Sequence, residues 1–343
     1  MPRKFITSES RLTQKREEVR KASRRKGSKA LRDHRRLQAI AEAMASSVSV
    51  SLSRGLQKFK RKVDEGEIER LFEEGKFDDI VETIPWDELP EDLKGFDKNY
   101  EKAYMNGSEA GIASIPSPPS NLTVTASSPG VVRFIENQTG NLIQNVTDDA
   151  KRSVRAAVQG SFEVAATPKQ VARTVAQSIG PSEKQTNQVM RLQQKERLER
   201  ASLEKRLKDL KAEGKGQTFT ARKVKGKLST LSEDKIQKRV EQRLNNYRKN
   251  RSRTIARTEM TNAVNAGQEE TWVEAMNRGL ISPQTAFKEW VTVPDEDRTE
   301  ICTELDGQRV PLDGEFYSSV AGKSFSRPAA HYNCRSSVVL VFE

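Results

Sequence analysis

The chain has 343 residues, of which 34% are hydrophobic and 31% charged, and its formal net charge is +12. So low an apolar share excludes one compact core of this length and implies an elongated molecule, part of it unfolded or ordered only by partners; the positive balance points to a polyanion or an acidic protein surface. No apolar run approaches the roughly 20 residues needed to span a bilayer, the basic N-terminus lacks the apolar stretch of a secretory signal, and two cysteines give no disulfide framework and fit a reducing compartment.

Charge is segregated along the first third. Residues 1–62 hold 19 basic and 5 acidic residues, net +14, and residues 63–110 hold 5 basic and 16 acidic ones, net −11. Long like-charge blocks serve as interaction tails. The candidate phosphate contacts are Arg20, Lys21, Arg24, Arg25, Lys26, Lys29, Arg32, Arg35 and Arg36. No aromatic residue interleaves them, so they suit a duplex backbone by counterion release better than stacked single-stranded bases. The competing reading is an arm folded back on the acidic block.

A helix is expected over 39–62 from Ile40, Met44, Val48, Leu52 and Leu56, and a short one around Ile68, Leu71 and Phe72. Residues 115–130, with four prolines, read as a linker. A helix is expected to begin near Gln138–Asn141 and to end at Gly160; Thr167-Pro168 then starts its hairpin partner. Ser182 and Gln185 form a capping box for a long charged helix with a narrow seam at Leu203, Leu207 and Leu210. Residues 220–227 read as a basic flexible loop. Ser232 caps the next helix, whose apolar stripe runs from Ile236 to Tyr247 and resumes from Ile255 to Met276, with Gly279 as terminator. Trp290–Val293 and Val338–Phe342 read as strands, with turns at Asp306-Gly307 and Asp313-Gly314.

The expected fold is therefore mainly α: a helical body with a small C-terminal α+β module and a basic N-terminal arm. The expected divisions are a basic arm at 1–62, an acidic helical segment at 63–114, a linker at 115–134, a helical body at 135–250 and a terminal module at 251–343.

The residues able to carry chemistry lie in the last third. Glu259 and Asn262 share a helix face, and an inward Glu259 is expected to pair with a basic residue and pin its helix to the terminal module. Cys302, His331 and Cys334 are the metal candidates. Zinc in a closed structural site takes four ligands, so Asp297, Asp306 or water would have to complete the set. A metal-free packed turn and a disulfide are the alternatives. Cys302 with His331 as base is the enzymatic alternative, a hydrolase or transferase, but no third orienting group or oxyanion loop accompanies it. The chain has no GxxxxGK[ST], no GxGxxG after a strand and no HExxH, which excludes the corresponding kinase, ATPase, dehydrogenase and metalloprotease chemistries. No catalytic residue is assigned and no cofactor is expected, zinc being the one candidate.

The order TIARTEMTNAVNAGQ (254–268), KEWVTVPDEDRTEICTELDGQ (288–308) and RPAAHYNCRSSVVL (327–340) resembles the phage head morphogenesis family, the Mu F-like minor head proteins of tailed bacteriophages. The resemblance spans residues 135–343 and is specific from about residue 250 onward. It implies a minor virion component inside the head near the portal vertex, assembled in the host cytoplasm. Portal protein, major capsid or scaffolding protein and packaged double-stranded DNA would be its partners, with no membrane. It marks Arg257, Thr258, Glu259, Asp297, Arg298, Leu305, Asp306, Gly307, His331, Cys334 and Arg335 as motif positions of structural role. Many relatives carry another cysteine just before the position of Cys302, or a histidine at it, and end in Cys-Arg-Cys where this chain has Ser336; both differences remove candidate metal ligands. A host nucleic-acid-binding protein is the remaining alternative.

Overall fold

The structure is a computed structural model that describes residues 28–293, 295 and 298–343. Arg20, Lys21, Arg24, Arg25, Lys26 and Asp297, all singled out above, lie outside the described residues. The chain is mainly helical with a small C-terminal strand module, as expected, and divides into two units. None of the described helices is long and apolar enough to cross a membrane.

The first unit comprises residues 28–49, 95–139 and 253–343. It takes the start of α1 (Ser28–Lys60), the short helices between 65 and 92 being in the other unit, and all of α5 (Phe96–Ser114). It also takes the end of α10 (Glu233–Asn277), the short α11 (Glu300–Leu305) and all five strands. Strands β1 (Ala286–Thr292), β2 (Arg309–Pro311) and β5 (Ser336–Phe342) form an antiparallel sheet in the order β2-β1-β5, with Trp290 opposite Val338. Strands β3 (Phe316–Ser318) and β4 (Lys323–Phe325) form a separate hairpin. Trp272, Trp290, Leu305, Phe316, Val338 and Leu340 meet in one apolar core with Ile115 and Leu122. The residues 115–128 expected as linker therefore contribute anchors to that core.

Helices α5 and α10 approach at backbone contact. A methyl group on Gly107 would stand 2.0 Å from the Val264 carbonyl oxygen, and one on Gly267 would stand 1.9 Å from that of Tyr104. Only glycine permits this spacing. Ser108 and Thr271 share a hydrogen bond of 2.7 Å across the same seam. Helix α10 stops as the sequence implies: Gly279 adopts φ +69°, and the N–H groups of Gly279 and Leu280 return to the carbonyls of Met276 and Ala275.

The second unit comprises residues 50–94 and 140–252. The end of α1 carries Phe59 against Trp86, ring centroids 5.6 Å apart. Short helices α2 (Glu65–Glu73), α3 (Asp79–Glu82) and α4 (Leu89–Asp92) follow. Helix α6 (Pro129–Glu163) runs through to this unit and is followed by α7 (Pro168–Gln177) and the long α8 (Glu183–Ala212). The expected capping box at Ser182 with Gln185 is present, and Thr167, expected as a helix start, forms another with Gln170. Val189, Val240 and Leu244 join α8 to the start of α10. Lys58 and Lys62, at the end of the basic block, ion-pair with Asp92 of the acidic block.

Three local expectations need correction. Helix α6 begins at Pro129, not near 138, because Ser128-Pro129 is the same start signal as Thr167-Pro168, and the linker reading absorbed it. Gly160 does not end α6; a methyl there would stand 2.7 Å from Met190 Cβ, so this glycine serves close packing on α8. Residues 220–227 are not a loop but most of α9 (Phe219–Thr230). Thr218 caps it by accepting from the Ala221 N–H, and Ala221 and Val224 are buried.

Candidate functional site

The terminal motifs converge on one end of the first unit. Thr299 caps α11 by accepting the Cys302 N–H at 3.2 Å, which seats Cys302 in the first turn facing inward. Cys302 and Cys334 are both buried free thiols, their Sγ atoms 3.8 Å apart. His331 Nε2 lies 2.9 Å from Cys302 Sγ and 3.0 Å from Thr299 Oγ1. The other ring nitrogen, Nδ1, stands 2.8 Å from the Tyr332 carbonyl, which can only accept; Nδ1 therefore carries a proton, and Nε2 faces Cys302 Sγ. Ser336 donates to Cys302 Sγ at 3.2 Å.

The sulfurs are electrostatically unequal. The Cys334 thiol is held well below its ordinary value, by Cys302 first and by His331. The Cys302 thiol is pushed up by Cys334 and by burial. The pair thus favours one thiolate with one thiol beside it, and the same neighbour raises the imidazole. Cys302 is consequently a poor nucleophile at neutral pH despite its contact with His331.

A cavity of about 380 Å³ opens beside Cys302 and His331, lined also by Arg257, Arg298, Thr299 and Arg335. Its arginines are engaged. Arg298 pairs with Asp306 at 3.3 Å, both side chains nearly inaccessible. Arg335 grips Asp295 with two nitrogens at 2.5 and 2.9 Å, and Arg257 donates to Asn333 at 2.9 Å.

Several motif residues make contacts within the unit. Thr258 accepts the N–H of Asn333, which adopts φ +63°. Leu305 is fully buried. Asp306 accepts from the Thr292 N–H at 2.9 Å, and Gly307, at φ +87°, donates to the Trp290 carbonyl at 2.8 Å, handing the chain from α11 to β2. Asp306 is therefore committed to Thr292 and Arg298 rather than to the thiols. Glu259 does not pair with a basic residue: it accepts the Tyr100 hydroxyl at 2.7 Å, and burial raises its pKa. The pinning of α10 to the terminal module falls to Arg257, Thr258, Thr261, Asn265 and Gln268.

Sequence reasoning did not reach two features. His34 on α1 is buried, 3.1 Å from Ser337 Oγ, and Gln38 donates to the Ser336 carbonyl at 3.1 Å. Buried Lys288 on β1 pairs with Glu269, which also receives Arg327, and donates to the Ser326 carbonyl at 3.0 Å. A lysine in a strand flanked by Phe287, Trp290 and Val291 was the available signal for the second. Of the candidate phosphate contacts, Lys29, Arg32, Arg35 and Arg36 are described, and all four are exposed on α1 opposite its buried Leu37, Ala41 and Met44.

Residues 224–339 match the family model described as Phage Mu protein F like protein, a range that holds α10's clamp, the Cys–His–Cys cluster and most of the sheet. No match was found among curated proteins or among solved structures. Over residues 224–339 the chain is thus similar to the family described as Phage Mu protein F like protein.

Proposed function

We propose that the chain is a minor head protein that acts by binding. Its C-terminal module docks on portal, major capsid or scaffolding subunits inside the head, near the portal vertex, and the exposed face of α1 contacts packaged double-stranded DNA. One observation carries the reading: the family-motif segments spend their side chains inside the unit, where they hold α10, α11 and β5 together. A surface-binding role needs such a rigid scaffold and no reactive group. Lys29, Arg32, Arg35 and Arg36 supply a basic helical stripe of the kind that reads phosphates without sequence preference.

Two measurements on the full chain test this. Heads assembled with and without the portal protein are assayed for the chain; incorporation that depends on the portal or on the capsid subunits is expected, and absence from both kinds of particle sinks the reading. Duplex DNA affinity is then followed across a salt series for the native chain and for Arg32→Gln/Arg35→Gln/Arg36→Gln. Each lost phosphate contact should reduce the salt slope by about 0.9. Identical slopes remove the α1 face from DNA binding.

A further inference from the structure

We infer that Cys302, His331 and Cys334 together bind one zinc ion whose fourth coordination position stays open. The inference concerns these side chains alone and stands whatever surface the chain docks on.

The first argument is distance. Two thiolates bound tetrahedrally to zinc at about 2.3 Å stand about 3.8 Å apart, and the Sγ atoms of Cys302 and Cys334 are 3.8 Å apart. All three donor atoms lie within 4.8 Å of one another. A disulfide needs sulfurs at about 2.05 Å, so the two side chains would have to close by about 1.7 Å. The 2.9 Å between Cys302 Sγ and His331 Nε2 has only to open by about half an ångström to accommodate an ion between them.

The second argument is preorganisation. Metal-bound histidines donate their second N–H to a carbonyl or carboxylate, which fixes the tautomer and the ring. His331 already does this, with Nδ1 on the Tyr332 carbonyl and Nε2 on the Cys302 sulfur. Cys302 is fixed by the Thr299 cap and the Cys334 carbonyl by Thr261, so none of the donors requires refolding. Soft sulfur with one imidazole suits zinc over the hard cations.

The third argument concerns the fourth position. Asp306 is spent on Thr292 and Arg298, and the polar atoms nearest the trio are the hydroxyls of Thr299 and Ser336, which are weak zinc ligands. Cys302 and His331 both line the cavity, so water or a small anion reaches the ion from that side. Ser336 is buried, with its hydroxyl 3.2 Å from the Cys302 sulfur. A thiol at 336 would therefore supply the missing ligand and close the site.

The full chain, purified without chelator and dialysed, is assayed for zinc and then reloaded with cobalt(II). The expected results are one zinc per chain and, for cobalt, thiolate charge-transfer absorption with the intense visible bands of a tetrahedral site. Added azide should shift the visible bands of the native chain, and Ser336→Cys should bind more tightly and lose the azide response. His331→Gln should lose the metal. Should substitutions impair folding, the native chain decides alone: zinc should slow modification of both thiols by a disulfide reagent, and a chelator should release them. Zinc far below one equivalent per chain, with no thiolate-to-cobalt absorption, overturns the site. So does an intact mass showing two hydrogens lost to a disulfide. Cobalt bands that azide leaves unmoved overturn the open position.

Discussion

Asn265 on α10 accepts the backbone N–H of Val338 on β5 at 2.9 Å, and three residues along the helix Gln268 donates to the carbonyl of the same residue at 2.7 Å. Strand β5 is an edge of its sheet, and Val338 faces Trp290 with its own polar groups turned outward. An exposed edge invites pairing with another chain. Here two helix side chains complete the edge, and Gln38 of α1 covers the carbonyl of Ser336 in the same row.

Asn265→Leu should therefore cost more than a surface helix substitution. It leaves a buried N–H without its acceptor, at about 1–3 kcal/mol. Chemical denaturation should show the loss. The opened edge should also make the variant self-associate at concentrations where the native chain does not, as light scattering would reveal. A variant as stable as the native chain would mean that water replaces the amide.

Glu269→Ala should be the most destabilising single change in the first unit. It strips Lys288, whose side chain is 1% exposed, of its counter-ion, and leaves Arg327 without its acceptor. Breaking one side of a buried pair costs about 3–5 kcal/mol. Replacing both partners, Lys288→Met with Glu269→Leu, should recover most of that loss, since an apolar pair of similar volume removes the stranded charge. Failure of the double variant to recover would show that the Lys288 contact to the Ser326 carbonyl matters more than the ion pair.

What was legible in the sequence, and what was not, follows from where the information lay. The caps at Thr167 and Ser182 and the stop at Gly279 are local chemistry, written within four residues; the cap at Thr299 was not anticipated. The motif order placed Cys302, His331 and Cys334 together although 29 residues separate the first two. Helix α9 was missed because four lysines and arginines mask its Ala221, Val224 and Leu228 face. Glu259 was given the wrong class of partner because Tyr100 lies 159 residues away. The burial of His34 against β5 has the same origin: nothing in a basic arm announces which strand it will meet.

The Tyr100–Glu259 contact carries a pH signature. Burial raises the Glu259 carboxyl, so the folded state holds its proton more tightly than the unfolded chain does. A raised folded pKa gives stability that is full below the unfolded value, about 4.3, and is lost as pH rises through the folded value. Glu259→Gln keeps an acceptor for the tyrosine hydroxyl and removes the titration. Its denaturation midpoint should equal that of the native chain at pH 4 and exceed it at pH 8. Parallel profiles over that range would show that the carboxylate is hydrated and free of the burial effect.

Glu304 should behave in the opposite sense. It sits on α11 and gathers the hydroxyls of Ser318 and Ser319 and the N–H groups of Ser319 and Val320. These donors, the hydroxyls first, hold its carboxyl at about 2. A depressed folded pKa gives stability present above the unfolded value and lost as pH falls toward the folded one. Between pH 5 and pH 2, protonation should loosen the β3–β4 hairpin from α11 before the sheet itself opens. Amide exchange is the suitable readout, because the Ser319 and Val320 N–H groups end on this one carboxylate. Their protection should fall with acid while that of Val338, held by Asn265, persists. Glu304→Gln should show the unprotected pattern at every pH, and loss of protection at Val338 in step with Ser319 would instead indicate that the hairpin and the sheet open as one unit.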